Sequence, residues 1–313
     1  MNAPGTNLGL RTEKIAVRSS FSALTKSLSQ IFFASNWATG LAFLLAFAIC
    51  DLIMAGFVLL GTLAAVGTAK LLGNNKGPIR LGMQGYCGAL VGASVFISLG
   101  ATPAAALVTL VGAATTIPVT KWLAAIFELP FLRRFQLPCI TAPFCIVSSV
   151  ILVSAVDPRT QQALAAPTTD NFTELFFYYV LTDISEVIFL NAAVSGLIIL
   201  IGLFLAHWKL GIAALLGGAV ESSIAYFLAS PDAEIQNGLA GYNGVLVAIA
   251  LATVFITGTW QPWVVAVGGL LLLIPIDALI RQLGTPVYTW PFVITTWLVL
   301  IIVNYIPVIR RAA

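Results

Sequence analysis

The chain has 313 residues, 59% of them hydrophobic and 9% charged, with a net charge of +3. A soluble domain carries about a quarter charged residues, so this composition excludes an ordinary soluble protein and marks an integral membrane protein that sits in the lipid bilayer. A charge of +3 scattered between apolar runs carries no nucleic-acid signal; the positive-inside rule reads it instead.

Residues 1–26 are polar and basic, with no secretory leader and cleavage site, and are expected to remain as a cytoplasmic arm. Leu28–Phe33 is apolar but far short of the about 20 residues that a spanning helix needs. Ser27 or Ser29 can cap it and Asn36-Trp37 closes it, which reads as a short re-entrant or interfacial helix. Apolar runs follow over Ala38–Cys50 and Leu52–Leu72, parted by Asp51 as a tight hairpin. Beyond the loop Gly73–Arg80 come Leu81–Leu99, Pro103–Leu123 and Pro138–Val156, the last two joined by the polar segment Glu128–Gln136. That makes about five spans in a unit covering residues 27–156.

Residues 157–173 form a polar linker, and the pattern restarts. The second unit, residues 174–309, has runs over Phe176–Leu190, Ala192–Ala206, Leu210–Leu228, Gly238–Ile256, Trp260–Leu279 and Val287–Val308. Its first run matches the short re-entrant stretch, and residues 310–313 close the chain with Arg310-Arg311. Three motifs recur at one offset of 156 residues: Gln30-Ile31-Phe32-Phe33 with Glu186-Val187-Ile188-Phe189, Thr39-Gly40-Leu41 with Ser195-Gly196-Leu197, and Gly85-Tyr86 with Gly241-Tyr242. A fourth, Pro-x-x-Thr-x-Pro-Phe, occurs at Pro138–Phe144 and Pro286–Phe292, with Thr141 and Thr289 148 residues apart, so eight residues are lost late in the second copy. Copies with an odd number of spans insert in opposite orientations. Arg11, Lys14, Arg18 and Lys26 at one end and Arg310-Arg311 at the other put both termini in the cytoplasm, the linker outside and the total at about ten spans. The expected fold is an all-α integral membrane protein of two inverted five-helix repeats, each with a short re-entrant pore helix.

Inverted repeats bring their shared features together near the bilayer midplane. Gln30 with Phe33 and Glu186 with Phe189 stand three apart; Tyr86 with Leu90 and Tyr242 with Leu246 stand four apart, spacings that share a helix face. Tyr and Leu at that spacing usually pack, and the nearby Gly85, Gly88, Gly241 and Gly244 can serve close helix contact. The prolines remove backbone donors and free carbonyls, which in lipid must face protein or a watery cavity. Glu186, an ionisable group inside the membrane, is a functional candidate by default. Asp51, Asp183 and Asp277 lie near run ends, where solvation accounts for them; Glu221 breaks the repeat, since the first copy has Ala65, and leaves a subunit contact or a kinked helix open. Cys50, Cys87, Cys139 and Cys145 read as small buried hydrophobes without metal spacing, and His207 as an interfacial residue. No cofactor, metal or catalytic residue is implied.

Leu-Pro-x-x-Thr-x-Pro-Phe at Leu137–Phe144 and the Gly-x-x-Gly-Tyr-Asn-Gly-x-Leu type segment at Gly238–Leu246 resemble signatures of the urea transporter family, and the resemblance runs from about Gln30 to Phe292. It implies a passive urea channel in the membrane of a bacterial-type cell, assembled as a homotrimer with one pore per protomer. Gln30 and Glu186 would face the filter, with free backbone carbonyls after them. Phe33, Tyr86, Leu90, Phe189, Tyr242 and Leu246 would wall a slot, and Thr141 and Thr289 would line its constriction. The family usually has phenylalanine at Tyr86 and Tyr242 and asparagine at Cys87, which bears on solute size and rate. A flat neutral amide suits such a slot on chemistry alone: apolar walls stack on its faces while oxygens in file accept from its amino groups. Glu186 is expected to act as an acceptor and not as a proton carrier. The competing readings are a channel for ammonia or small amides, an ion-coupled carrier, and a membrane-embedded enzyme, against which stand the missing His-Glu-x-x-His and Gly-x-Ser-x-Gly motifs.

Overall fold

The computed structural model describes residues 21–154, 171–228, 235–283 and 287–312. Most of the arm 1–26, most of the linker 157–173 and Gly284–Pro286 of the second proline motif lie outside the described residues. The remainder is almost wholly helical. The first copy contributes α1 (Phe21–Phe32), α2 (Trp37–Cys50), α3 (Leu52–Leu71), α4 (Tyr86–Leu99), α5 (Pro103–Phe127) and α6 (Ala142–Val153). The second contributes α7 (Phe172–Glu186), α8 (Ala193–Ala206), α9 (Trp208–Phe227), α10 (Tyr242–Phe255), α11 (Gln261–Gln282) and α12 (Trp290–Val303). Two short strands, β1 (Ile256–Thr257) and β2 (Arg310–Arg311), pair antiparallel and tie the C-terminal tail to the end of α10.

Helices α3, α5, α9 and α11 are long and apolar enough to cross a membrane alone; α1 and α2 make a further candidate pair, bent by 79°. The runs at 81–99 and 138–156 give shorter helices than their lengths predict. Their leading residues are turns: Gly82, at φ 83°, opens the chain ahead of α4, and Ile140, at φ 39°, does so ahead of α6. Pro143 and Pro291 lie in the first turns of α6 and α12, where a missing N–H is harmless. They start helices there and do not break them.

The first apolar stretch differs from its prediction. Helix α1 runs back to Phe21, so Ser27 and Ser29 sit inside it and cap nothing at its start. The Ser29 hydroxyl instead reaches the Ala34 carbonyl at 2.5 Å and accepts from Asn36 N at 3.2 Å, stitching the turn between α1 and α2. Asn36 caps α2, its Oδ1 accepting from Ala38 N at 2.9 Å. Asp51 forms the expected hairpin by capping α3 through Ile53 N at 2.8 Å.

The repeat is a two-fold relation in space. Thr39 Oγ1 donates to Gly202 O at 2.8 Å, and its counterpart Ser195 Oγ donates to Ala46 O at 3.4 Å. Both bonds join the start of one helix to the later part of the other, so α2 and α8, equivalent helices, lie antiparallel. Reciprocal contacts of this kind are the mark of a two-fold axis. Within each copy the re-entrant helix meets the next one at a glycine: a Cβ on Gly40 would lie 1.7 Å from Thr25 O, and one on Gly196 1.9 Å from Leu181 O. Gly61 meets Gly88, and Gly217 meets Gly244, just as closely. The glycines around Tyr86 and Tyr242 therefore serve helix packing.

Candidate functional site

Helices α1 and α7 end in the same device. Phe33 and Phe189 take left-handed φ values of 60° and 64°, and their N–H groups close back on Gln30 O at 3.0 Å and Glu186 O at 2.9 Å. Such a backbone on a bulky residue costs on the order of 1–3 kcal/mol and collects at functional sites. Among the described residues no hydrogen bond is made to the carbonyls of Ile31, Phe32 and Phe33, nor to those of Val187, Ile188 and Phe189. Each copy thus offers three acceptor oxygens in file directly after Gln30 or Glu186. The Glu186 side chain is buried, at 4% exposed, while Gln30 is half-buried.

The proline motifs meet at the centre. Thr141 Oγ1 and Thr289 Oγ1 lie 2.7 Å apart, both residues 2% exposed. Symmetry mates that touch must straddle the axis, so this pair marks the centre of the molecule. Ile140 and Tyr288, the residues before them, take matching φ values of 39° and 40°. The phenols of Tyr86 and Tyr242 hold that backbone, donating to Ile140 O and to Tyr288 O at 2.5 Å each. The carbonyl of Pro138 itself accepts from Trp297 Nε1, of the other copy, at 2.8 Å.

Aromatic rings flank the threonines in exchange. Phe33 of the first copy meets Phe292 of the second at 6.2 Å and 71°; Phe189 of the second meets Phe144 of the first at 6.0 Å and 73°. Both are edge-to-face contacts of the favoured kind. The last turns of α10 widen to π-helical geometry and end at Phe255, whose ring meets Phe33 at 5.9 Å. Leu90 and Leu246 lie fully buried in the same core, one turn past the tyrosines. The structure therefore gathers Phe33, Tyr86, Leu90, Thr141, Phe189, Tyr242, Leu246 and Thr289 around one axis, with Gln30 and Glu186 at the ends of α1 and α7.

Tyr288 is the residue that the sequence reading missed. Where the first copy has Ile140, it places an aromatic ring 5.2 Å from Phe144 and 6.2 Å from Phe189, with its hydroxyl 3.4 Å from Ser148 O. Its only signal in sequence was its place one residue before Thr289. Cys145 was read as bulk, yet its Sγ is 3.1 Å from Thr289 Oγ1. Asn243 orders the second copy by accepting from Phe292 N at 3.3 Å; at the equivalent place in the first, the Cys87 thiol lies 3.8 Å from Ile140 O.

Elsewhere two expectations change. Asp183 is wholly buried and accepts from Ser222 Oγ at 2.5 Å, so solvation at a run end does not account for it. Cys50 is exposed, unlike the other three cysteines. His207 caps α9, its Nδ1 accepting from Lys209 N at 3.1 Å. Asp277 pairs with Arg281 at 2.5 Å. Among the described residues no cluster of three or more His, Cys, Asp or Glu could hold a metal ion.

Among the described residues the arrangement is a two-fold set of aromatic rings, touching hydroxyls and backbone carbonyls without a donor. Comparison with known proteins agrees with it. The chain is similar to urea transporter 1 of Rattus norvegicus, with 26% identity over 305 residues, covering 92% of this chain and 78% of the relative. Its similarity to urea transporter 1 of Ovis aries is 25% over 302 residues, covering 91% and 78%. A family model described as urea transporter matches residues 21–304. That match takes in both copies and everything gathered about their axis, and the chain belongs to the urea transporter family.

Proposed function

We propose that the protein carries urea passively across the membrane, down its gradient, through a narrow path at the interface of its two copies. The observation that carries the reading is the touching pair Thr141 and Thr289, flanked on both sides by exchanged aromatic contacts. A slot with flat apolar walls accepts a planar molecule and hinders a hydrated ion. Oxygens in file replace water around amino groups, and several weak sites in a row allow both entry and exit. In this reading Phe33, Tyr86, Leu90, Phe189, Tyr242 and Leu246 wall the slot. Gln30, Glu186 and the carbonyls after them supply acceptors, and Thr141 and Thr289 form the constriction.

The same reading sets residues 27–156 and 174–309 as inverted repeats. The antiparallel pairing of α2 with α8 supports it. Arg311 donates to Phe135 O and Gln136 O, which brings the C-terminal tail beside the loop that carries Arg133 and Arg134. If α2–α6 and α8–α12 each cross once, Lys76, Arg80, Lys209 and Arg310 share that face. The positive-inside rule then makes it cytoplasmic, in what we read as a bacterial inner membrane. The homotrimer rests on the family resemblance.

Proteoliposomes holding the purified protein should release urea much faster than empty ones, with no dependence on a proton or sodium gradient. Gradient dependence, or turnover of a substrate in detergent, would end the passive-channel reading. Glu186→Gln keeps an acceptor oxygen and should retain most of the flux; complete loss in a folded variant contradicts the acceptor role. Tyr288→Ile copies the first repeat into the second. It should raise methylurea flux relative to urea, and an unchanged ratio would take Tyr288 out of the slot wall.

A further inference from the structure

Glu221 is the intramembrane charge that the slot leaves unused. It sits within α9, 6% exposed, where the first copy has Ala65. Its Oε1 has no hydrogen-bond partner among the described residues. Space for it is made by Gly244 of α10: a Cβ there would lie 2.2 Å from Glu221 Cγ. The residue lines a cavity of about 170 Å³ with Asp277 and Arg281, the remaining walls being apolar residues such as Ile224, Leu228 and Ile274.

The charges around the cavity do not balance. Asp277 holds Arg281 Nε at 2.5 Å, Arg281 Nη2 also donates to Leu239 O at 2.7 Å, and Asp277 Oδ1 has no partner among the described residues. Behind Glu221 stands the buried Asp183, whose first-copy counterpart is Ser27; one of its oxygens takes the Ser222 hydroxyl, and the other has no side-chain partner among the described residues. Among the described residues, two carboxyl groups and one guanidinium thus line the cavity, with a third carboxyl group buried behind Glu221. Carboxylate oxygens only accept, and a buried carboxylate is unfavourable unless it is paired. Water in the cavity would supply hydrogen bonds but no charge. Among the described residues no cluster here could hold a metal ion. A compact N–H cation supplies both charge and several donors, in the strong charge-assisted form.

We propose that this cavity binds a small nitrogen cation, a primary ammonium or a guanidinium group, on the carboxylates of Glu221 and Asp277. The second copy alone has the site, so it lies at one face of the membrane, the face opposite the Arg310-Arg311 tail if each helix crosses once. Its occupant is either a free ion or the ammonium headgroup of a lipid. The inference is independent of the slot.

The test is the melting midpoint of the purified protein in detergent, titrated with methylammonium or guanidinium chloride at low millimolar concentration. Sodium and tetramethylammonium chlorides at equal ionic strength are the controls, since neither carries an N–H. The expected result is a saturable rise with the N–H cations alone. Glu221→Gln should weaken that binding on the order of tenfold to a hundredfold, the worth of one charged hydrogen bond, with urea efflux retained. Nanodiscs of phosphatidylethanolamine against phosphatidylcholine separate the sources: stabilisation by the former alone assigns the site to a headgroup. Equal shifts with tetramethylammonium, no shift with any N–H cation or headgroup, or a shift unchanged in Glu221→Gln overturns the proposal. Should Glu221→Gln fail to fold, Asp277→Asn and Glu221→Ala are read in the same way.

Discussion

Thr289→Val is expected to destabilise the protein by about 1–3 kcal/mol, the penalty of a buried hydroxyl left without its partner, and to slow urea efflux by roughly tenfold. The abandoned group is Thr141 Oγ1, 2% exposed and bonded to Thr289 at 2.7 Å. The reverse change, Thr141→Val, should cost a similar amount, since Thr289 Oγ1 is then left with only the weak Cys145 Sγ at 3.1 Å. The double variant separates structure from conduction. With both hydroxyls gone no donor is stranded, and replacing both partners by apolar groups of the same shape is nearly neutral. Its melting midpoint should return close to that of the wild type, with a coupling between the two sites equal to the sum of the two single penalties, roughly 2–3 kcal/mol. Its urea flux should fall further, since the constriction then has no polar group at all. A double variant that is as stable and as fast as the wild type would mean that the threonines only pack. Denaturation in detergent and efflux from proteoliposomes, run on the same four proteins, give both answers.

Much of this centre was legible in the sequence because a repeat states each thing twice. The constant offset of 156 residues paired Phe33 with Phe189 and Tyr86 with Tyr242, and all four rings stand in matched places. What escaped was whatever the two copies do not share. Tyr288 faces its mates from a position that holds isoleucine in the first copy, so no duplication drew attention to it. Asp183 stood near a run end in one dimension, but the fold wraps α9 and α10 around it, and distance along a chain does not report that. The start of α1 was hidden by polarity. Ser22, Thr25 and Lys26 read as a solvated arm and Ser27 as a helix cap, yet Thr25 and Ser27 turn their hydroxyls onto the carbonyls of Phe21 and Ala23 at 3.2 and 2.8 Å. A hydroxyl that satisfies itself against its own helix is no longer a surface signal. Span lengths were misjudged for a related reason. Apolar composition runs on through Leu81–Gly85 and Leu137–Thr141, but these residues are turns: Gly82, Gly85, Ile140 and Thr141 are buried against the protein, while Leu81 and Met83 are exposed.

Gly40→Ala is expected to abolish urea efflux, or to prevent a stable fold, through one added methyl group. The Cβ would lie 1.7 Å from Thr25 O and 2.4 Å from Thr25 C, both backbone atoms of α1 that cannot rotate away. Helix α1 would have to shift by more than an ångström, and α1 is what delivers Gln30, the unpaired carbonyls and the strained Phe33 to the axis. Overpacking of this kind typically costs about 1–3 kcal/mol, and more where the obstacle is backbone. Gly196→Ala should act alike, since its Cβ would meet Leu181 O at 1.9 Å. The control is Gly67→Ala in α3, where a Cβ meets nothing within 4 Å. There the same substitution should leave flux unchanged and stabilise by about 0.5–1 kcal/mol, because alanine loses less backbone freedom than glycine in a helix. The contrast isolates position from chemistry: an identical methyl group is harmless on an unobstructed turn of α3 and ruinous where α1 crosses its neighbour. Wild-type efflux and melting from Gly40→Ala would mean that α1 does not press on α2 at this glycine, and the placing of Gln30 and Phe33 beside the axis would fall with it.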